Sequence, residues 1–133
     1  MRIFLMSLPA LALLSTAAAA EITKDQRKSI DQVAWAVTSG QTCSDNGYEV
    51  DFVGIAAFRQ SVEKAAIAEG AEEGEFSAAI DANIEAEYAR LEKRFRNGMT
   101  TRANSERLQA WWGRRCKDLS KDEATAHLFS KAG

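Results

Sequence analysis

The sequence predicts an all-α protein, a small up-and-down helical bundle of four main helices plus a short C-terminal helix, tied by one disulfide. Three observations predict this fold class. The only proline of the 133-residue chain is Pro9, and the remainder is rich in Ala, Glu, Lys, Arg and Gln, which favour helices. Apolar residues recur at helical spacing in four long segments. Two cysteines, Cys43 and Cys116, are available for one bridge.

Residues 1–20 have the pattern of a cleaved secretory signal peptide. Arg2 is followed by an apolar run, and Ala18 and Ala20 fit the small-residue rule for cleavage. The run is short for a membrane span, although an uncleaved anchor is the alternative. We therefore expect residues 21–133 to form a single helical domain in the bacterial periplasm or outside the cell, with no integral membrane segment after cleavage.

Export bears directly on the two cysteines, because disulfides form readily in oxidising compartments. We predict a bridge between Cys43 and Cys116, with two free thiols as the alternative. In the chain-entropy model, closing a loop of this length stabilises a fold by roughly 4 kcal/mol.

The first helix is predicted from Thr23 to about Ser39. Thr23 and Gln26 form a capping box, and Gly40 supplies a stop. Trp35 lies off the apolar stripe of this helix. It either packs under another segment or is exposed for a partner.

Residues 41–49 contain a cluster of turn formers and predict a loop that carries Cys43. A short strand around Tyr48 and Val50 is conceivable, but no nearby segment could pair with it. The pattern instead favours a second helix that is capped by Asp51 and ends before Gly70. Its inward face is expected to hold Phe52, Ile55, Phe58, Val62 and Ala66.

The longest apolar stripe predicts a third helix over residues 75–97, ended by an Asn-Gly pair. Thr100 or Thr101 can cap a fourth helix that reaches Leu119. Ser120 and Glu123 make a further capping box, which predicts a fifth, short helix ending near residue 130.

Motifs for catalysis, metal binding or cofactor binding are weak in this chain. The single histidine, His127, is one turn from Glu123 in the predicted fifth helix, and zinc sites need more ligands than these two. Redox, haem and phosphate-loop motifs do not occur in the sequence. We expect a protein with no cofactor, no metal and no catalytic activity, and a small enzyme that uses His127 and Glu123 is the alternative.

Charge is divided sharply along the chain. Residues 63–87 carry a net charge of minus seven, and residues 88–117 carry plus seven. One interpretation is complementarity to the helix dipole and pairing between neighbouring helices. The other is a basic 88–117 surface that binds an acidic partner, an anionic lipid headgroup or a cell-wall polymer. Nucleic acid is a poor candidate for an exported chain of slightly negative charge.

The segment from Leu108 to Leu119 combines core and candidate binding residues. Arg115 falls inside its apolar stripe, where a charge needs a carboxylate or carbonyl partner, and Trp111 lies one turn earlier, within reach of a cation-π contact. Arg115 either extends out along the edge of the core or joins Trp111 in a recognition patch. The candidate partner-binding residues are Trp35, Trp111, Arg114 and Arg115.

These features together predict a small exported protein that acts by binding another protein of the bacterial envelope, as an inhibitor, an immunity protein, a chaperone or an assembly accessory. Binding of an anionic ligand through the basic surface is the second hypothesis. The sequence leaves the oligomeric state open.

Overall fold

The structure is a computed structural model that describes residues 21–98 and 101–133, so the predicted signal peptide lies outside the described residues. Four helices and two short strands follow one another along the chain. They are α1 (Lys24–Asp45), β1 (Tyr48–Val50), α2 (Phe52–Ala68), α3 (Glu73–Gly98), α4 (Arg102–Lys121) and β2 (Phe129–Lys131). α1 is the central helix, since it packs against α2, α3, α4 and β1.

Side-chain caps at three helix starts agree with the sequence. The Thr23 hydroxyl accepts a hydrogen bond from the Gln26 N–H at 3.1 Å, and the Gln26 side chain accepts one from the Thr23 N–H at 3.0 Å. Asp51 accepts from the Gly54 N–H at 2.8 Å and so begins α2. Thr101 caps α4, whereas Thr100, the other candidate, lies outside the described residues. Each cap satisfies a donor that the first helical turn leaves unpaired.

The sequence predicted that the first helix stops at Gly40, and this is wrong. The helix continues to Asp45 and includes Cys43. Gly40 is buried, and a Cβ atom there would lie 3.0 Å from Cε1 of Phe52. The glycine therefore allows α2 to cross close to α1. The stop lies at Gly47, whose φ of +86° suits a residue without a side chain.

The chain is mostly helical with four main helices, as predicted, but β1 and β2 add a two-stranded antiparallel sheet in which Val50 pairs with Phe129. The predicted fifth helix is therefore wrong. After α4, the Asp122 carboxylate accepts a hydrogen bond from the Ala124 N–H, and the buried Thr125 hydroxyl donates to the Leu119 carbonyl. These bonds turn the chain so that Phe129 lies beside β1. The sequence had suggested no pairing partner for that strand.

The predicted disulfide is confirmed. Cys43 and Cys116 are bonded, with their Cα atoms 5.6 Å apart, and both are fully buried. The bridge joins the end of α1 to α4 inside the larger of two apolar clusters, formed by Ala36, Cys43, Ile55, Leu91, Trp112, Cys116, Leu119, Leu128 and Phe129. The second cluster, at the other end of α1, contains Ile30, Val33, Ala66, Phe76 and Ile80.

One residue of the predicted inward face of α2 lies elsewhere. Phe52 is 50% exposed, while Ile55 and Ala66 are buried as predicted. Phe52 occupies the first turn of α2, where its ring lies over Gly40 at the edge of the core instead of inside it.

Over residues 21–98 and 101–133, none of the helices combines the length and the apolar character that crossing a membrane requires.

Candidate partner-binding surface

Arg115 forms an ion pair with a buried carboxylate of the neighbouring helix. Its Nη2 atom lies 3.1 Å from Oε1 of Glu87 on α3, and Glu87 is only 4% exposed. Arg90 holds the other carboxylate oxygen at 2.6 Å. The sequence placed Arg115 in an apolar stripe and required a partner for its charge, and α3 supplies that partner. Glu87 therefore holds Arg115 in place and shares its single negative charge between Arg115 and Arg90.

Two tryptophans from different helices flank this arginine. The guanidinium carbon of Arg115 lies 4.8 Å from the ring centroid of Trp111 and 5.4 Å from that of Trp35. Arg94 lies 4.7 Å from the Trp111 ring. Trp35 is 36% exposed and Trp111 is half-buried. All three distances allow cation-π attraction, so the arginines hold the rings in place while part of each ring faces solvent.

Trp111 also lies directly beside the core. Its ring is perpendicular to that of the buried Trp112, at a centroid distance of 5.0 Å, and Trp112 stacks on Phe95 at 5.7 Å. Offset and edge contacts of this kind are favourable for aromatic pairs. The exposed part of Trp111 thus rests on a rigid support.

A cavity of about 390 Å³ opens beside Trp111, and we call it the basic cavity. Arg94, Arg107 and Arg114 line it together with Trp111, and its lining contains no carboxylate. In the part of the chain that the structure describes, none of these three arginines forms an ion pair. Three unneutralised guanidinium groups around one opening favour an anionic ligand, because arginine binds carboxylate and phosphate groups through paired hydrogen bonds.

Two further cavities continue from the basic cavity. An aromatic cavity of about 360 Å³ shares Arg94 and Trp111 with it and adds Trp35 and Arg115. An acidic cavity of about 260 Å³ shares Trp35 and Arg115 with the aromatic cavity and is lined by Asp118 and Asp122. We refer to the three cavities together as the groove.

The far end of the groove is acidic. Asp118 is exposed, and the Asp122 carboxylate accepts long hydrogen bonds of 3.4 Å from the Gln32 amide. Neither carboxylate forms an ion pair with any residue of the described ranges. Arg115 is already paired with Glu87, so the groove runs from a positive end at the three arginines to a negative end at the two aspartates.

His127 and Glu123, the residues of the enzyme hypothesis, are both exposed. Glu123 lines an open cavity of about 520 Å³ with Asp25 and Asp122, and His127 does not line that cavity. Within residues 21–98 and 101–133, no hydrogen bond joins the two side chains, and no group of three or more His, Cys, Asp or Glu residues could hold a metal ion.

Comparison of the chain with protein-family models, curated proteins and solved structures finds no match.

Of the four candidate residues, the fold brings Trp35, Trp111 and Arg115 together and places Arg114 in the neighbouring basic cavity. Their role in partner binding stays a prediction. Sequence reasoning counted Arg94 and Arg107 only toward the charge of the basic segment. A signal for Arg107 was present, because Arg107, Trp111 and Arg114 are spaced by four and three residues and so share one face of α4.

Proposed function

We propose that this is an exported protein that binds another protein of the bacterial envelope through the groove, without catalysis. The observation that carries the proposal is the basic cavity, where three arginines without carboxylate partners surround a partly exposed tryptophan. Tryptophan and arginine are enriched among the residues that dominate binding energy. An inhibitor, an immunity protein, a chaperone or an assembly accessory would each need a surface that binds a protein partner.

Export is part of the proposal. The signal-peptide pattern of residues 1–20 supports it, and so does the Cys43–Cys116 disulfide, which fits an oxidising compartment such as the periplasm. Detection of a mature chain beginning at Glu21 in a periplasmic fraction tests this part. A full-length chain retained in the cytoplasm contradicts it.

The binding test uses residues 21–133, with the disulfide intact, as bait in a periplasmic extract. Captured proteins are identified, purified and titrated against the bait. Trp111→Ala should weaken the purified pair about thirtyfold, since a hot-spot residue contributes about 2 kcal/mol. The double variant Arg107→Glu and Arg114→Glu should weaken it further and reduce its dependence on salt.

A matched control has the same charge change outside the groove. Arg96→Glu and Arg102→Glu alter exposed arginines that pair with Glu92 and Glu106 and line none of the three cavities. This variant should bind within about threefold of the unmodified protein, because exposed ion pairs contribute little. Equal losses in both double variants would show that overall charge, not the groove, governs binding.

The anionic-ligand hypothesis predicts a different result. Vesicles that contain anionic phospholipid, or isolated cell-wall polymer, would then retain the purified protein at physiological salt in the absence of any protein partner. If the Arg107→Glu and Arg114→Glu variant is no longer retained, the result would favour an anionic surface over a protein as the ligand of the groove.

A further inference from the structure

We infer that the groove recognises an extended segment of about seven residues that is acidic at one end, apolar in the middle and basic at the other. This inference rests on the proposed function and specifies the partner's chemistry. It follows from the order of the cavities along α4 and from the charges of the residues that line them.

Five of the residues that line the groove from α4 and its C-terminal end form one stripe. Arg107, Trp111, Arg114, Asp118 and Asp122 are separated by three or four positions each, so they lie on one face of the helix and at its end. The shared lining residues join the three cavities in the same order. A ligand that follows the groove therefore meets the arginines, then the tryptophans, then the aspartates.

The distance along the stripe sets the length of the ligand. From residue 107 to residue 122, a helical rise of 1.5 Å per residue gives about 22 Å. An extended chain advances about 3.3 Å per residue, so about seven residues cover the groove.

Each part of the groove selects its own chemistry. Carboxylates complement Arg94, Arg107 and Arg114, which lack ion pairs within the described ranges. Lysine or arginine complements the aspartates at the other end.

The middle of the groove differs from both ends. Glu87 pairs there with both Arg115 and Arg90, which also lines this cavity, and the exposed parts of Trp35 and Trp111 add apolar surface between the two charged ends. A leucine or similar side chain can pack on the exposed parts of these rings.

The experiment measures binding of fluorescent seven-residue peptides to the mature, disulfide-bonded protein at one ionic strength. The polarised probe is Glu-Glu-Ser-Leu-Ser-Lys-Lys, used also in reverse order so that both chain directions are sampled. An all-acidic probe replaces the lysines with glutamates, and an all-basic probe replaces the glutamates with lysines. One of the two polarised probes should bind at least about tenfold more tightly than either uniform probe.

A variant of the acidic end tests the assignment of that end. Asp118→Lys with Asp122→Asn makes the groove positive throughout while keeping an acceptor for the Ala124 N–H, and the all-acidic probe should become the tightest ligand. Glu85→Lys with Glu75→Gln makes the same change in net charge on exposed residues of α3 that line none of the three cavities, and should leave the order of the probes unchanged.

The inference is overturned if the all-acidic probe binds the unmodified protein as tightly as the polarised ones, or if the Asp118 variant leaves the order of the probes unchanged. If no peptide binds but an envelope protein is captured and its capture requires Trp111, the inference of a polarised segment is rejected and the proposed function is retained. Failure of the peptides together with loss of all protein capture rejects both.

Discussion

Glu87 is the residue on which the geometry of the tryptophan surface depends. It is 4% exposed and holds Arg115 at 3.1 Å, and Arg115 in turn lies against Trp111 and Trp35. A buried carboxylate is costly unless its charge is balanced, and the same holds for the arginine that it faces. The pair therefore fixes where the two rings meet.

Replacing the carboxylate with its neutral isostere isolates this effect. Glu87→Gln keeps the shape of the side chain but leaves Arg115 without its balancing charge, so we expect the free energy of unfolding to fall by about 2 kcal/mol. Chemical denaturation followed by tryptophan fluorescence measures the loss. The control is Glu92→Gln, which removes the exposed pair with Arg96 and should change stability by no more than about 0.5 kcal/mol. Equal losses in the two variants would assign no special role to the buried pair.

At the scale of the secondary-structure elements, α3 begins with a carboxylate that caps its backbone. Oε2 of Glu72 accepts a hydrogen bond from the Glu75 N–H at 2.6 Å, and Oε1 accepts one from the Gly74 N–H at 3.0 Å. The hydrogen bond from Glu75 and then that from Gly74 favour the ionised form and lower the pKa of Glu72 below the ordinary value of 4.5. The direction agrees with the positive end of a helix dipole.

This shift makes the start of α3 sensitive to acid. Because the pKa of Glu72 is lower in the folded chain, its contribution to stability is complete above pH 4.5 and is lost as the pH falls through the folded-state pKa. An NMR titration of the side-chain carboxyl should give a midpoint below 4.5. In Glu72→Gln, the stability of the protein should depend less on pH across the same window. A titration midpoint at or above 4.5 contradicts the cap.

The sequence predicts the bounds of a helix or strand correctly where the residues that set those bounds are neighbours along the chain. The capping box at Thr23 and the cap at Asp51 act within one turn, and the sequence places both correctly. Gly40 does not end α1, contrary to the prediction. A glycine is needed there because the Phe52 ring of another helix packs close to its Cα atom, and the local sequence gives no sign of that contact. Strand β1 was set aside because its partner begins at Phe129, far away along the chain.

The candidate surface shows the same division. The spacing of Trp111 and Arg115 predicts their contact, since one helical turn brings them together. Trp35 and Glu87 come from α1 and α3, and no periodicity within α4 could indicate that they meet Arg115. The need for a carboxylate was deducible from the charge of Arg115, but its identity required the tertiary fold.

At the scale of the whole molecule, two long-range connections close the fold around α1. The sheet joins β1 to the C-terminal strand, and the disulfide joins the last turns of α1 to α4 across a sequence separation of 73 residues. Both connections border the larger apolar cluster, which also supports Trp111 through Trp112. The loop that the disulfide closes contains α2 and α3, so the bridge restricts the unfolded chain over most of its length.

Removing the bridge should therefore weaken the entire fold. Cys43→Ala with Cys116→Ala is expected to lower the free energy of unfolding by about 4 kcal/mol, because the unfolded chain regains the entropy of an open loop. Alanine avoids placing new hydroxyl groups where both sulfur atoms are now fully buried. Urea denaturation measures the loss. The matched control is the unmodified protein in reductant. Its free energy of unfolding should lie within about 1 kcal/mol of that of the variant, because the small cavity left by the sulfur atoms is the main remaining difference. Unchanged stability in both samples would mean that the apolar clusters hold the helices together without the covalent link.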